Sequence, residues 1–273
     1  MDRAGTSPAV LAILSAFVEE RTGLHYGLGD RDLLEEKAGA RAAEAGFESL
    51  LDYYYYLRYD PGGERELDAL IDALVVGETY FFRELAPLEL VAELCDALAT
   101  RGARPRIWSA ACATGEEPLT LAMLLEERGL AGRVELVASD LSPRALERAR
   151  SGRHGPRAVR DGAPARLAER YLRREADGTY RVAPRLLEAI AWRRVNLQDE
   201  RQVRAVGAVD FVLCRNALIY FRDETAIRVV ERLSSVLVPG GVLLVGISES
   251  LLRFGTELQC EEHGNVFLYR RPA

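Results

Sequence analysis

The stretch WSAACATGEEP, Trp108–Pro118, decides how this chain is read. An apolar segment, RIWSA, runs into small residues and then into EEPLTLAMLLEERG, whose apolar spacing is helical. A strand that turns tightly into a helix is the opening unit of a nucleotide-binding parallel sheet. Yet the turn carries one glycine, Gly115, where a dinucleotide fold has three, and Glu116 and Glu117 stand where a pyrophosphate would lie. Ala111, Ala113 and Gly115 are spaced i, i+2, i+4, which lets the backbone bend towards a ligand, alanine sufficing where φ stays negative.

Outward from this turn, short apolar runs alternate with helical ones. VELVASD precedes SPRALERAR, VDFVLCRN precedes DETAIRVVERLSSVL, and GGVLLVGI follows a turn at Pro239-Gly240-Gly241. The pattern predicts an α/β domain with a parallel sheet covered on both faces. ELQCEEHGNVFLYRR reads as two strands turned at His263-Gly264-Asn265, an antiparallel pair on one edge. YLRREADGTYRV reads as a hairpin around Asp177-Gly178, inserted beside the sheet. Residues 8 to about 75 read as helices throughout: PAVLAILSAFVEERTG, DRDLLEEKAGARAAEAG with Asp30 as its N-cap, FESLLDYYYYLRYDPGG and ERELDALIDALVV. The junction is expected to be helical. Tyr53–Tyr56 are consecutive helical positions and point four ways, so they predict core plus rim rather than a platform for stacking bases.

Composition narrows the function. A 48% apolar, 29% charged chain is ordinary for a soluble globular protein, and its longest apolar runs, such as VLLVGI, are too short to insert in a membrane. The first residues open with an acid and break into Glu19-Glu20-Arg21, which favours an amphipathic helix over a signal peptide. Cys95, Cys112, Cys214 and Cys260 are scattered, as suits reduced thiols in the cytoplasm. A net charge of −6 argues against nucleic-acid binding. The charge is uneven: residues 1–75 hold 15 Asp/Glu against 7 Lys/Arg, and residues 141–195 hold 14 Arg against 6 Asp/Glu. The second stretch is either a face for an acidic partner or a solvated surface. Lys37 is the only lysine, so arginine use reflects a general bias as much as function.

Ligands of an open parallel sheet lie beyond the carboxyl ends of its strands. Two carboxylates at a helix N-terminus repel a phosphate and attract a cation. S-adenosylmethionine, a nucleoside without phosphate that bears an ammonium and a sulfonium, fits that turn; Glu-Glu is also an ordinary capping choice. Asp140 ends the second strand, placed for ribose hydroxyls. Asn196 and Leu197 end the next and could flank an adenine, and CRNALIYF puts Arg215, Asn216 and Tyr220 around the mouth of the pocket.

These segments resemble the CheR-type chemotaxis receptor methyltransferases (protein-glutamate O-methyltransferases). The resemblance rests on ETYFFRE (Glu78–Glu84), IWSAACATGEEPLTLAMLL, ASDLSPRALERAR, VNL, CRNALIYF and LVPGGVLLVGISESL, in that order along nearly the whole chain. It implies an N-terminal all-helical domain (1–75), a linking helix (76–100) and a class I S-adenosylmethionine-dependent methyltransferase domain (101–273), Rossmann-like, with a small antiparallel β-subdomain inserted at about 155–192. The activity implied is methyl transfer to glutamates on the cytoplasmic helices of chemoreceptors, leaving S-adenosylhomocysteine. Carried over by motif, Thr79 and Arg83 contact the methionyl end, Glu117 binds the cofactor, Asp140 holds the ribose, Asn196 and Leu197 meet the adenine, and Arg215 and Asn216 approach the methionine. Arg83 and Tyr220 stand nearest the transferred methyl. Gly77 stands in this cofactor-binding set where the family often has Asn, so a side-chain contact is lost; Ile247 stands where His is common. The hairpin is short, which puts docking of a receptor tail in doubt. Lys37, Arg41 and Arg31 are implied to face the receptor helix.

The residues agree with that chemistry. Glutamate is ionised at neutral pH, so a displacement at a sulfonium methyl requires no strong base. His25, His154 and His263 lie outside the motifs, and no Cys/His cluster has metal spacing. Two other readings stay open: a non-catalytic module binding S-adenosylmethionine or S-adenosylhomocysteine in signalling, and a small-molecule methyltransferase.

Overall fold

The computed structural model describes residues 6–273. Its contacts divide the chain into two compact units. One runs to Val76 and includes Tyr220–Thr225; the other comprises Gly77–Ile219 and Ala226–Ala273.

The first unit is built from α1 (Pro8–Thr22), α2 (Arg31–Glu44), α3 (Leu50–Tyr59) and α4 (Gly63–Leu74). Pro8 opens α1 where a missing N–H costs nothing, and Gly23 ends it at φ 81, donating its N–H to the Glu19 carbonyl. Leu11, Leu14, Phe17 and Val18 form its buried face. Asp30 occupies the N-cap position of α2 but does not cap it; its carboxylate accepts the Gly27 N–H at 3.0 Å, in the tight turn before the helix. Ser49 does cap α3, accepting the Leu51 and Asp52 N–H groups. The tyrosine run divides as expected, with Tyr53 fully buried and Tyr55 52% exposed. Tyr53 donates its hydroxyl to Glu66 (2.8 Å), which also takes two bonds from Arg41 (2.6 and 3.0 Å). Burial, then that carboxylate, push the Tyr53 phenol well up, so it remains a donor. Arg41 is therefore engaged within the unit, and of the expected cationic face Lys37 is the exposed member.

In the second unit α5 (Leu85–Thr100) begins later than the linking helix expected at 76–100. The reason is local: Phe82 (φ 65) and Glu84 (φ 45) adopt left-handed backbone, which no α-helix accommodates. After α5 come β1 (Arg106–Ala110), α6 (Glu116–Glu127), β2 (Glu135–Asp140), α7 (Pro143–Ser151), β3 (Arg153–His154), α8 (Ala165–Tyr171), β4 (Leu172–Arg174), β5 (Tyr180–Val182), α9 (Pro184–Glu188), β6 (Ile190–Arg194), α10 (Glu200–Arg204), β7 (Val209–Cys214), α11 (Asp223–Val236), β8 (Leu237–Val245), β9 (Gln259–His263) and β10 (Val266–Arg270). The main sheet runs β6-β2-β1-β7-β8-β10-β9, parallel through β8 and antiparallel at the last two strands. Strand order reverses at β1, which pairs with β2 on one side and β7 on the other. Trp108 lies between Val137 and Val212, all three fully buried, so the switch point rests on the centre of the core. Pro239-Gly240-Gly241, expected as a turn, lies inside β8; the register shift opposite it, with Gly240 at φ 77, absorbs the extra residues.

The hairpin β4–β5 and strand β3 form a separate three-stranded sheet. The helices flanking it are tied to α6, α9 by Arg185, bidentate on Glu126 (3.0 and 2.9 Å), and α8 by the Tyr171 hydroxyl on Glu127 (2.9 Å). Acids outside the arginine-rich stretch thus neutralise part of its charge. The four cysteines are free thiols. Among the described residues no helix is long and apolar enough to cross a membrane.

Candidate cofactor site

The carboxyl ends of β1, β2, β6 and β7 bring together the loop Ala111–Gly115, Asp140, Asn196–Leu197 and Arg215–Asn216. Backbone strain converges here. Among the described residues, the non-glycine positions with positive φ are Phe82, Glu84, Ala111, Ala113 and Asn216. All five fall in ETYFFRE, WSAACATGEEP or CRNALIYF. The expectation that Ala111 and Ala113 keep negative φ is corrected: they sit at 56° and 48°. Left-handed backbone costs a non-glycine residue about 1–2 kcal/mol, and such strain persists where surrounding structure over-determines it.

Asp140 is one such constraint. One carboxylate oxygen accepts the Ala113 N–H at 2.8 Å and the other the Ser142 N–H at 2.9 Å, while Cys112 N–H donates to the Ser139 carbonyl. Asp140 thus pins the loop after β1 to the end of β2. Gly115 is required twice over. Its φ is 91°, and a Cβ there would lie 2.8 Å from that of Ala149 and 2.9 Å from the Trp192 ring.

The adjacent acids diverge. Glu116 is 4% exposed, 2.8 Å from His154 Nδ1, and accepts the Thr114 hydroxyl. Glu117 accepts the Ser109 hydroxyl (2.7 Å) and Arg215 (2.9 Å). They are therefore not two bare anions at the turn, as the sequence suggested. His154, outside every motif by sequence, touches the motif in space, and its ring packs T-shaped against that of Phe81.

Arg215 does not stand at a pocket mouth. Its side chain is 2% exposed and points inward, donating to Glu117, to the Glu84 carboxylate (3.1 Å) and to the carbonyls of Arg83 (2.8 Å) and Glu84 (3.2 Å). One guanidinium ties the ETYFFRE turn, the first turn of α6 and the end of β7. Two carboxylates against one guanidinium leave a net negative charge, suited to a cationic ligand. The Arg215 Nε–H is buried with no partner among the described residues, an unmet donor that a ligand acceptor would satisfy.

The remaining residues are placed less tightly. Arg83 donates to the Glu78 carbonyl at 3.2 Å and stays partly exposed, and Thr79 is half-buried. Gly77 is exposed, and a Cβ built there meets nothing within 4 Å, so the site has no wall at this position. Asn196 turns its side-chain oxygen back to the Gln198 N–H (2.9 Å), and Leu197 is buried. Tyr220 ends a single turn, Leu218–Tyr220, and belongs to the first unit, where its carbonyl accepts the His25 N–H. Burial, with the nearby carboxylates, pushes the thiols of Cys112 and Cys214 well up, so neither is a nucleophile at neutral pH. Glu84, Glu249, His154 and Ser109 join the site without having been singled out. Glu84 and Glu249 lie in the quoted motifs; His154 carries no local signal, being 38 residues from its partner.

A reversed parallel sheet, a one-glycine turn, an acid ending β2 and a buried guanidinium with an unmet donor fit S-adenosylmethionine, and the class they define is the S-adenosylmethionine-dependent methyltransferases. Comparison with known proteins specifies the family. Residues 77–266 match the CheR methyltransferase, SAM binding domain, and residues 10–75 match the CheR methyltransferase, all-alpha domain. Chemotaxis protein methyltransferase 2 of Vibrio cholerae is 35% identical over 93% of this chain and 89% of its own length. Chemotaxis protein methyltransferase 1 of Pseudomonas aeruginosa is 31% identical over 94% and 96%. A probable biofilm formation methyltransferase, WspC, of Pseudomonas putida is 36% identical over 86% of this chain and 55% of its own. The chain belongs to the CheR methyltransferase family.

Proposed function

We propose that this protein transfers the methyl group of S-adenosylmethionine to glutamate side chains on the cytoplasmic helices of chemoreceptors, forming methyl esters, and that it works in the cytoplasm. The observation that carries this reading is the match of both units to the family, together with full-length relatives named chemotaxis protein methyltransferases.

The bound cofactor supplies an electrophilic methyl on a sulfonium. Asp140, at the carboxyl end of β2, holds the ribose through its carboxylate. Leu197 gives the adenine an apolar face and Asn196 an edge. Arg215 offers its unmet Nε–H to the methionyl carboxylate, and Glu117 lends the negative charge that favours the cationic end. Thr79 and Asn216 complete the methionyl side; Gly77 contributes backbone alone. Arg83, partly exposed, orients a carboxylate, and Tyr220 donates near the reacting centre. The target glutamate is already ionised, so the chain provides alignment and exclusion of water rather than a base; such positioning supplies about 7–11 kcal/mol of a barrier.

The test is mass spectrometry of a receptor cytoplasmic fragment after incubation with cofactor and enzyme. Methyl esters on glutamate are expected, and Arg83→Ala and Tyr220→Phe should each slow their formation. If both variants turn over like wild type, the two roles are wrong. Cofactor binding without any methylated receptor would return the protein to the binding-module or small-molecule readings.

A further inference from the structure

The loop after β8 holds a carboxylate that no step above uses. Glu249 is 9% exposed. One of its oxygens accepts the N–H groups of Asn216 and Gly246, both at 2.7 Å, and the other accepts the N–H of Ile219 at 3.2 Å. Its own N–H closes a tight turn on the Gly246 carbonyl at 2.8 Å. Three backbone donors from two loops thus converge on one buried carboxylate. The loops also approach closely: a Cβ on Gly246 would lie 2.6 Å from the Asn216 amide nitrogen and 2.9 Å from its backbone nitrogen.

The bonded groups give this geometry its consequence. Asn216 is one of the five strained residues, at φ 57, and directly follows Arg215. Ile219 directly precedes Tyr220. A single carboxylate therefore fixes both ends of the turn 216–219 and holds Asn216 in the left-handed region, which asparagine enters more readily than other non-glycine residues. Glu84 does the same on the other flank, with one oxygen 3.1 Å from Arg215 and 3.3 Å from the Ile247 N–H.

We propose that Glu249 is a positioning residue for the cofactor site: it holds the backbone of 216–219 so that Arg215 and Asn216 present their side chains to the methionyl end. The inference rests on the cofactor reading above and adds a residue to it. Glu249 does not touch the ligand; it acts through the peptide groups it binds.

The experiment is calorimetric titration of the full chain with S-adenosylhomocysteine, on wild type, Glu249→Ala and Glu249→Gln, alongside thermal unfolding and receptor-fragment kinetics. Glu249→Gln keeps one oxygen for Asn216 and Gly246 but turns an amide towards the Ile219 N–H. At a temperature where circular dichroism shows each variant folded, the cofactor Kd is expected to rise about tenfold in Glu249→Ala, the equivalent of one lost charge-assisted hydrogen bond, and less in Glu249→Gln. The receptor KM should stay within about twofold of wild type, a split that general loosening of the fold would not produce. If Glu249→Ala does not fold, Glu249→Gln decides by the same criterion. A Kd within about twofold of wild type in the deciding folded variant overturns the proposal. A wild-type chain that binds neither S-adenosylhomocysteine nor S-adenosylmethionine would refute the cofactor reading itself, and this inference with it.

Discussion

Replacing Arg215 by alanine removes a buried cation that joins the three strained segments. Glu117 and Glu84 lose their shared counter-charge, and the carbonyls of Arg83 and Glu84 lose a donor. Breaking a buried ion pair by deleting one partner costs about 3–5 kcal/mol. The two glutamate side chains are 15% and 20% exposed, so water recovers part of their charge and the lower end, about 3 kcal/mol, is the better expectation. For a unit of this size, 1 kcal/mol moves Tm by about 2–4 °C, which places the fall at about 6–12 °C. Arg215→Lys restores the charge but cannot reproduce four directed contacts, and should fall between the two. Differential scanning fluorimetry with and without S-adenosylhomocysteine separates the effects: wild type gains Tm from the ligand by mass action, and Arg215→Ala should gain little. An Arg215→Ala protein that unfolds within about 2 °C of wild type, and is still raised by the ligand, would refute the role of Arg215 as both strut and ligand.

Three further expectations follow from other contacts. Gly115→Ala adds left-handed strain to a clash with Ala149 and Trp192 and should cost about 2–4 kcal/mol by urea titration, whereas Ala113→Gly, where relieved strain offsets added chain entropy, should change stability by less than about 0.5 kcal/mol. Glu66→Ala strands the buried Tyr53 hydroxyl and releases Arg41, lowering stability by about 2 kcal/mol in the same assay. Arg185 holds the Glu126 carboxyl, and the Tyr171 hydroxyl and neighbouring arginines the Glu127 carboxyl, below the ordinary range. Their stabilisation is present above the unfolded carboxylate pKa of about 4.3 and lost as pH falls through the depressed folded values, so wild type should lose more stability than Glu126→Gln between about pH 5 and pH 3.

The periodicity of the sequence was enough for the strand–helix alternation, the antiparallel edge and the inserted hairpin, because each is encoded in contiguous residues. The start of the linking helix was not: nothing in ETYFFRE announces left-handed backbone at Phe82 and Glu84. The same limit applies to Ala111 and Ala113, where alanine argued for negative φ and the loop instead turns left-handed, its Cys112 and Ala113 N–H groups taken by the Ser139 carbonyl and the Asp140 carboxylate. Residue type and strand position suggested Arg215 and Glu117 separately, but not that they bond to each other across 98 positions. Arg41 illustrates the converse, a helical spacing that promised an exposed cation and a Glu66 carboxylate, 25 residues away, that takes it. Among the acids, Glu249 looked like any loop glutamate; only its three backbone donors distinguish it.

The central claim is tested most directly by methyl transfer from S-adenosylmethionine carrying a labelled methyl group to the cytoplasmic fragment of a receptor from the same organism, followed by alkali and counting of the released methanol. Volatile, base-labile label that depends on the enzyme is the predicted result, since a glutamyl ester hydrolyses to methanol. Tight cofactor binding with no alkali-released methanol from any receptor fragment would contradict it.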